Sequence, residues 1–157
     1  MASQLLFPID QIDTTVTACD KAEIDSYLPQ CGVMRMIDRV IWLSAPGTSA
    51  YGERFIRDDE FWVAGHIPGR PLFPGVLMIE AAAQLCSIAH TRTGRTTGFL
   101  GFTRCTDVIF RGQVVPGDMF YVLTRELSYN PRRFVSETQG LVNGKLVFEA
   151  TITGMAI

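Results

Sequence analysis

One stretch, residues 65–91, limits what this chain can fold into. It begins as Gly65-His66-Ile67-Pro68-Gly69-Arg70-Pro71-Leu72-Phe73-Pro74-Gly75 and continues through Val76, Leu77, Met78, Ile79 and Glu80 into an alanine-rich run ending near Thr91. The first half reads as a stiff loop, because each proline fixes its own φ and pushes the residue before it away from the α region. The second half holds no proline or glycine until Gly94, and its Ala, Leu, Met and Ile favour a helix of four turns or more. Pro74 suits the first turn and Gly94 the stop. Such a helix is apolar almost all round, which marks it as buried. Its exceptions are Glu80, Gln84 and Ser87, at i, i+4 and i+7, one narrow polar line.

The remaining elements follow from turn residues and alternation. Residues 20–28 predict a short helix, with Asp20 as N-cap, Glu23 three residues on, and Pro29 as the stop. Strands are expected at 34–43, closed by Ala45-Pro46-Gly47, and at 49–57. Asp58-Asp59-Glu60 reads as a solvated turn. After the long helix, strands are expected at 98–110, 118–129, 132–142 and 145–153, the last two joined by Asn143-Gly144, a strong hairpin signal. In the last strand Leu146, Phe148, Ala150 and Ile152 fall on one face, and Lys145, Glu149, Thr151 and Thr153 on the other. One buried helix with a run of antiparallel strands gives an α+β domain in which the sheet wraps the helix.

The loop and helix together gather a base, an acid and free backbone N–H groups within one short stretch. His66 precedes the helix start, and Glu80 lies about one and a half turns in. Each has a plainer reading. The polar line could be the helix's solvated edge, since charged residues are seldom fully buried. The Pro68/Pro71/Pro74 spacing could suit a polyproline-binding partner, although Pro74 is needed to start the helix. His90 reads as structural, a cation favoured by the helix dipole. Cys86, set among apolar residues, reads as an inert buried thiol.

The run at 65–84, with its His, three Pro, Gly, Glu and Gln in register, resembles the signature of the FabZ-type 3-hydroxyacyl-[acyl-carrier-protein] dehydratases, which adopt the hotdog fold. The resemblance covers roughly residues 24–155, including Leu28-Pro29, Ile37-Asp38-Arg39-Val40, Phe110-Arg111 and Val114-Val115-Pro116-Gly117-Asp118. It implies dehydration of a (3R)-3-hydroxyacyl thioester to the trans-2-enoyl thioester in fatty-acid synthesis, with neither metal nor cofactor. His66 would be the base and Glu80 the acid, given apolar surroundings that keep its proton in place. The N–H groups of Gly75 or Val76 would meet the thioester oxygen, and Gln84 would orient the Glu80 carboxyl. The implied partners are acyl carrier protein and a second copy of the chain, as a homodimer or a trimer of such dimers. Each site would take His66 from one subunit and Glu80 from the other. There are departures: Gln30-Cys31-Gly32-Val33-Met34 replaces a His-Arg-Tyr-Pro-Phe-like run, Ile109 a basic residue, Gly112-Gln113 an Arg-Pro pair, and Ile67 a Phe. They bear on tunnel shape, accepted chain length and carrier docking, and leave the acid/base pair intact.

Composition narrows the alternatives. At 157 residues the chain fits one domain, expected at 21–157 after an extension, 1–20, that either frays or packs Leu5, Leu6 and Phe7 on the domain. A net charge of −2 argues against general nucleic-acid binding and against a polybasic membrane anchor. No apolar run approaches the ~20 residues of a membrane span. Four cysteines without a Cys-x-x-Cys pair fit neither a zinc site nor a disulfide framework, and a reducing cytoplasm is expected. Two other readings stand beside the dehydratase. One is another hotdog acyl-thioester enzyme, a thioesterase or CoA hydratase. The other is a non-catalytic homologue that binds acyl chains.

Overall fold

The computed structural model describes residues 4–95 and 98–157. Helix α1 (Lys21–Tyr27) starts on a reciprocal cap: the Asp20 carboxylate accepts the Glu23 N–H, and Glu23 accepts the Asp20 N–H. It ends at Leu28, just before Pro29. A 3₁₀ turn (Gly32–Met34) leads to strands β1 (Arg39–Leu43) and β2 (Ser49–Phe55). The long helix α2 (Gly75–Arg92) follows, and then strands β3 (Leu100–Phe110), β4 (Met119–Asn130), β5 (Arg133–Val142) and β6 (Lys145–Ala156). Gly94, just past α2, takes the left-handed conformation (φ 66°) expected of a helix stop.

The six strands form one sheet in the order β1-β2-β4-β5-β6-β3, every neighbouring pair antiparallel. The β5–β6 hairpin turns on Asn143 (φ 50°) and Gly144 (φ 72°), both left-handed as a type I′ turn requires. On its inner face the sheet holds α2: Ala81, Leu85 and Ile88 join Ile37, Val40, Ala50, Phe120, Phe148 and Ile152 in one buried cluster. Each large side chain there contributes about 2 kcal/mol relative to exposure. Close approach of sheet to helix depends on Gly52, where an added Cβ would lie 3.1 Å from Leu85. This is the α+β hotdog arrangement expected from the sequence.

Three details differ from the sequence expectations or decide between them. The strand expected at 34–43 begins only at Arg39. The Met36 N–H and Met34 carbonyl, which strand pairing would use, are bonded instead to the Gln84 side chain. In β6, Leu146 does not share the face of Phe148. The register slips between Gly140 and Leu141, so Leu146 joins an outer cluster with Ile41, Tyr51, Leu123 and Leu141. Leu5, Leu6, Phe7, Ile9 and Ile12 pack on that outer cluster, and Gln139 and Arg125 bond the Leu6 backbone at 3.0 and 2.7 Å.

Candidate active site

His66 sits in the loop between β2 and α2, exposed, with its backbone N–H on the Trp62 carbonyl at 2.7 Å. Its ring Nδ1 lies 2.7 Å from the Leu72 carbonyl. A carbonyl oxygen only accepts, so Nδ1 carries the hydrogen, and the lone pair of the neutral ring belongs to Nε2. The proline-stiffened stretch 67–74 makes this return contact. Within it Ile67 is held at φ 61°, an outlying conformation for a β-branched residue.

Glu80 lies on α2, partly buried, and Gln84 one turn on is almost wholly buried. The polar line is therefore not the helix's solvated edge. Gln84 Oε1 accepts the Met36 N–H at 2.8 Å, which fixes the amide's orientation; Nε2 then donates to the Met34 carbonyl at 2.6 Å and to Glu80 Oε1 at 2.8 Å. Because Glu80 Oε1 is occupied as an acceptor, a proton carried by this carboxyl resides on Oε2.

At the helix start, the N–H groups of Gly75 and Val76 precede the first intrahelical bonds, and Leu77 and Met78 both donate to the Pro74 carbonyl. Neither Gly75 N–H nor Val76 N–H has an acceptor among the described residues. Gly75 lies under the Phe110 ring: a Cβ there would come within 2.7 Å of it, so any larger residue would displace that half-exposed side chain. A cavity of about 140 Å³ is lined by Glu80, Ala83 and Ser87 of α2 and by Phe102 and Phe134 of the sheet. Gln30, from the segment that departs from the family pattern, also lines it, with its side-chain oxygen buried and unpaired among the described residues. A larger cavity, about 450 Å³, lies on the outer sheet face by residues 4–8 and includes neither His66 nor Glu80.

The structure thus brings Glu80 and Gln84 together and sets Gly75 and Val76 at the head of the same helix. Within one chain it joins His66 to Glu80 by no hydrogen bond and no shared cavity among the described residues. No cluster of three or more potential metal-ligating side chains occurs among them either.

Two other expectations change. His90 is buried and stacks with Phe134 and with Tyr129, their ring centroids 4.1 and 5.7 Å away. Burial pushes it down to about 4, against the pull of the Glu126 carboxylate, so at neutral pH it is an uncharged ring and no cation for the helix dipole. Glu60, read as part of a solvated turn, is buried against Arg54 with Oε2 to guanidinium at 2.5 Å. The sequence held a signal for this. Arg54 falls on the same strand face as Ala50 and Gly52, the inward one, and a buried cation needs an anion nearby. Cys86 is buried, its thiol pushed up to about 11 by burial, and it contacts Thr124 at 3.1 Å.

Residues 28–151 match the FabA-like domain family. A relative from Teredinibacter turnerae is 38% identical over 138 residues, covering 85% of this chain and 93% of its own. One from Roseiflexus sp. is 36% identical over 134 residues, covering 83% and 91%. Both are named 3-hydroxyacyl-[acyl-carrier-protein] dehydratase FabZ. Among solved structures, a chain of the dehydratase heterocomplex ApeI:P from Xenorhabdus doucetiae superposes with a TM-score of 0.72 at 16% identity, covering 85% of this chain and 90% of that one. Cj0977, a sigma28-regulated virulence protein from Campylobacter jejuni, gives 0.68 at 13%, covering 92% and 95%. At such identities the structural likeness speaks for the fold alone.

Proposed function

We infer the chemistry from family membership, for this chain belongs to the FabA-like family and within it to the FabZ-type dehydratases. It is a hydro-lyase that dehydrates 3-hydroxyacyl-[acyl-carrier-protein] in fatty-acid biosynthesis. The product is the trans-2-enoyl thioester. We assign the roles as follows. His66 Nε2 removes the proton from the carbon beside the thioester, and that electron pair forms the new double bond. The bond from C3 to the hydroxyl breaks, and the proton on Glu80 Oε2 goes to the departing oxygen, releasing water. The Gly75 and Val76 N–H groups, at the positive end of α2, take the charge that builds on the thioester oxygen. Gln84 holds the Glu80 carboxyl so that Oε2 faces the substrate.

For the assignment of roles one observation carries most: the hydrogen bond of His66 Nδ1 to the Leu72 carbonyl makes Nε2 the basic atom. The bond of Gln84 to Glu80 Oε1 frees Oε2 in a complementary way.

The lack of any hydrogen bond or shared cavity between His66 and Glu80 among the described residues of one chain supports an isologous dimer in which each site is shared. The surface for it is at hand. Strand β3 is an edge of the sheet, and Phe102, Ile109 and Phe110 along it are 49%, 43% and 50% exposed, with Val76 at 71%. An unpaired edge of this kind invites a second copy. The cavity beside Glu80 is the place for the acyl chain. A cytoplasmic location belongs to the same proposal and rests on the four free cysteines.

The test is hydration of crotonyl thioesters on acyl carrier protein and on CoA, followed by loss of enone absorbance. Faster turnover on the carrier-protein substrate is expected. Release of free thiol would mark a thioesterase, preference for CoA a CoA hydratase, and inertness toward both a non-catalytic acyl binder.

A further inference from the structure

Between β2 and α2 the chain runs over the surface, and along residues 57–71 only two side chains are buried, Glu60 and Trp62. Glu60 Oε2 accepts from Arg54 at 2.5 Å and from Trp62 Nε1 at 2.9 Å, while Oε1 accepts the Arg57 N–H at 3.0 Å. Burial alone would raise this carboxyl. The hydrogen bonds from Arg57, Trp62 and Arg54, with the guanidinium charge, outweigh it and hold Glu60 below the usual carboxylate range. The Trp62 ring meets the edge of Phe73 at 5.6 Å, and the Arg54 guanidinium stands 6.0 Å over the same Phe73 ring. Arg54, Glu60, Trp62 and Phe73 thus form a closed ring of contacts, anchored by the Phe73 N–H on the Val114 carbonyl at 2.8 Å.

His66 hangs from this ring at two points. Its backbone N–H bonds the Trp62 carbonyl, and its Nδ1 bonds the carbonyl of Leu72, covalently next to Phe73. A buried ion pair is costly to desolvate, and a simple turn would not need one. Here it ties Trp62 into the ring that includes Phe73, next to the two carbonyls that His66 bonds.

We propose that Glu60 is a positioning residue for His66: clamped by Arg54, it sets Trp62 and Phe73 so that the Leu72 carbonyl keeps the His66 hydrogen on Nδ1 and leaves Nε2 to face the substrate. The proposal rests on the reading of His66 as the base. Glu60 touches no reacting atom, and its effect on the reaction passes through the imidazole.

The experiment uses Glu60→Gln, which keeps the shape and removes the charge. If that variant fails to fold by circular dichroism, Trp62→Phe takes its place, removing the Nε1 donor to Glu60 together with part of the indole while keeping an aromatic ring beside Phe73. The tautomer is read from ¹⁵N–¹H correlations of the histidine ring nitrogens, with His66→Gln separating His66 from His90. In the wild type His66 is expected as the Nδ1–H form. In the variant a mixture of tautomers is expected, with kcat lower by about tenfold or more and KM within about twofold. An unchanged tautomer overturns the proposal, whether kcat is retained or has fallen through a general loss of structure. The His66→Gln enzyme separates the two readings. If it keeps full turnover, the assignment of the base fails; if it is inactive while the Glu60 variant matches the wild type, only the role of Glu60 fails.

Discussion

Gln84 Nε2 lies 2.8 Å from Glu80 Oε1, one helical turn back, and 2.6 Å from the Met34 carbonyl. Its own oxygen accepts the Met36 N–H at 2.8 Å. One buried amide therefore ties the segment before β1 to α2 and holds a carboxyl whose second oxygen remains available. The same side chain serves fold and site, and substitutions there should report on both.

Gln84→Leu keeps the volume and removes all three bonds. The buried Met36 N–H is then left without its acceptor, a loss expected to cost about 2 kcal/mol in urea unfolding. Turnover should fall by about tenfold or more because Glu80 loses its orientation. Unaltered turnover in a destabilised variant would confine Gln84 to the fold.

Ile67, beside His66, carries a β-branched side chain at φ 61° and is 46% exposed. Asparagine tolerates this conformation far better, and little buried surface is lost on replacement. Ile67→Asn should therefore raise stability by about 1 kcal/mol, read as a higher urea midpoint at unchanged slope. An unchanged or lower midpoint would contradict strain at this position.

His90 predicts a pH dependence of stability. Its folded value, about 4, lies below the 6.5 of an unperturbed imidazole, chiefly through burial. Between these values the unfolded chain binds the proton and the folded chain does not, so stability falls as pH falls through that window. The loss between pH 7.5 and pH 5 should be about 2 kcal/mol from this residue. His90→Phe, which keeps the stack on Phe134 and Tyr129, should remove that part of the slope in urea unfolding at the two pH values. A slope identical to the wild type would show that folding leaves the proton affinity of His90 unchanged, contrary to its burial.

The sequence carried the parts of this molecule that depend on local rules. Proline and glycine placement marked the loop and both ends of α2, Asp20 and Glu23 marked the cap of α1, and Asn143-Gly144 marked the hairpin. The orientation of Gln84 toward Glu80 was readable from the i, i+4 spacing. What escaped depended on distant partners. The late start of β1 follows from Gln84, nearly fifty residues on, taking its backbone groups. The face of Leu146 follows from a register slip that alternation cannot show. His90 looked like a cation at a helix end, because its aromatic neighbours Tyr129 and Phe134 come from β4 and β5. Glu60, among two aspartates, looked solvated until Arg54 closed on it.

The assigned roles make a strong demand on two side chains. His66→Ala and Glu80→Gln should each lower turnover by at least about a hundredfold, a typical share for general acid or base catalysis. Both should stay folded, since His66 is exposed and Glu80 only partly buried, so circular dichroism and unfolding midpoints should remain near wild type. Near-normal turnover in either would remove that residue from the reaction.

The shared site is tested most directly by mixing two inactive proteins. His66→Ala and Glu80→Ala are unfolded, combined in equal amounts and refolded together, and mixed dimers are counted by native mass spectrometry. Random pairing should make about half of the molecules mixed, each with one intact and one doubly damaged site. If the two sites act independently, activity should return to about a quarter of wild type. No recovery, with the mixed dimers present, would place both residues in one chain's own site and contradict the shared arrangement.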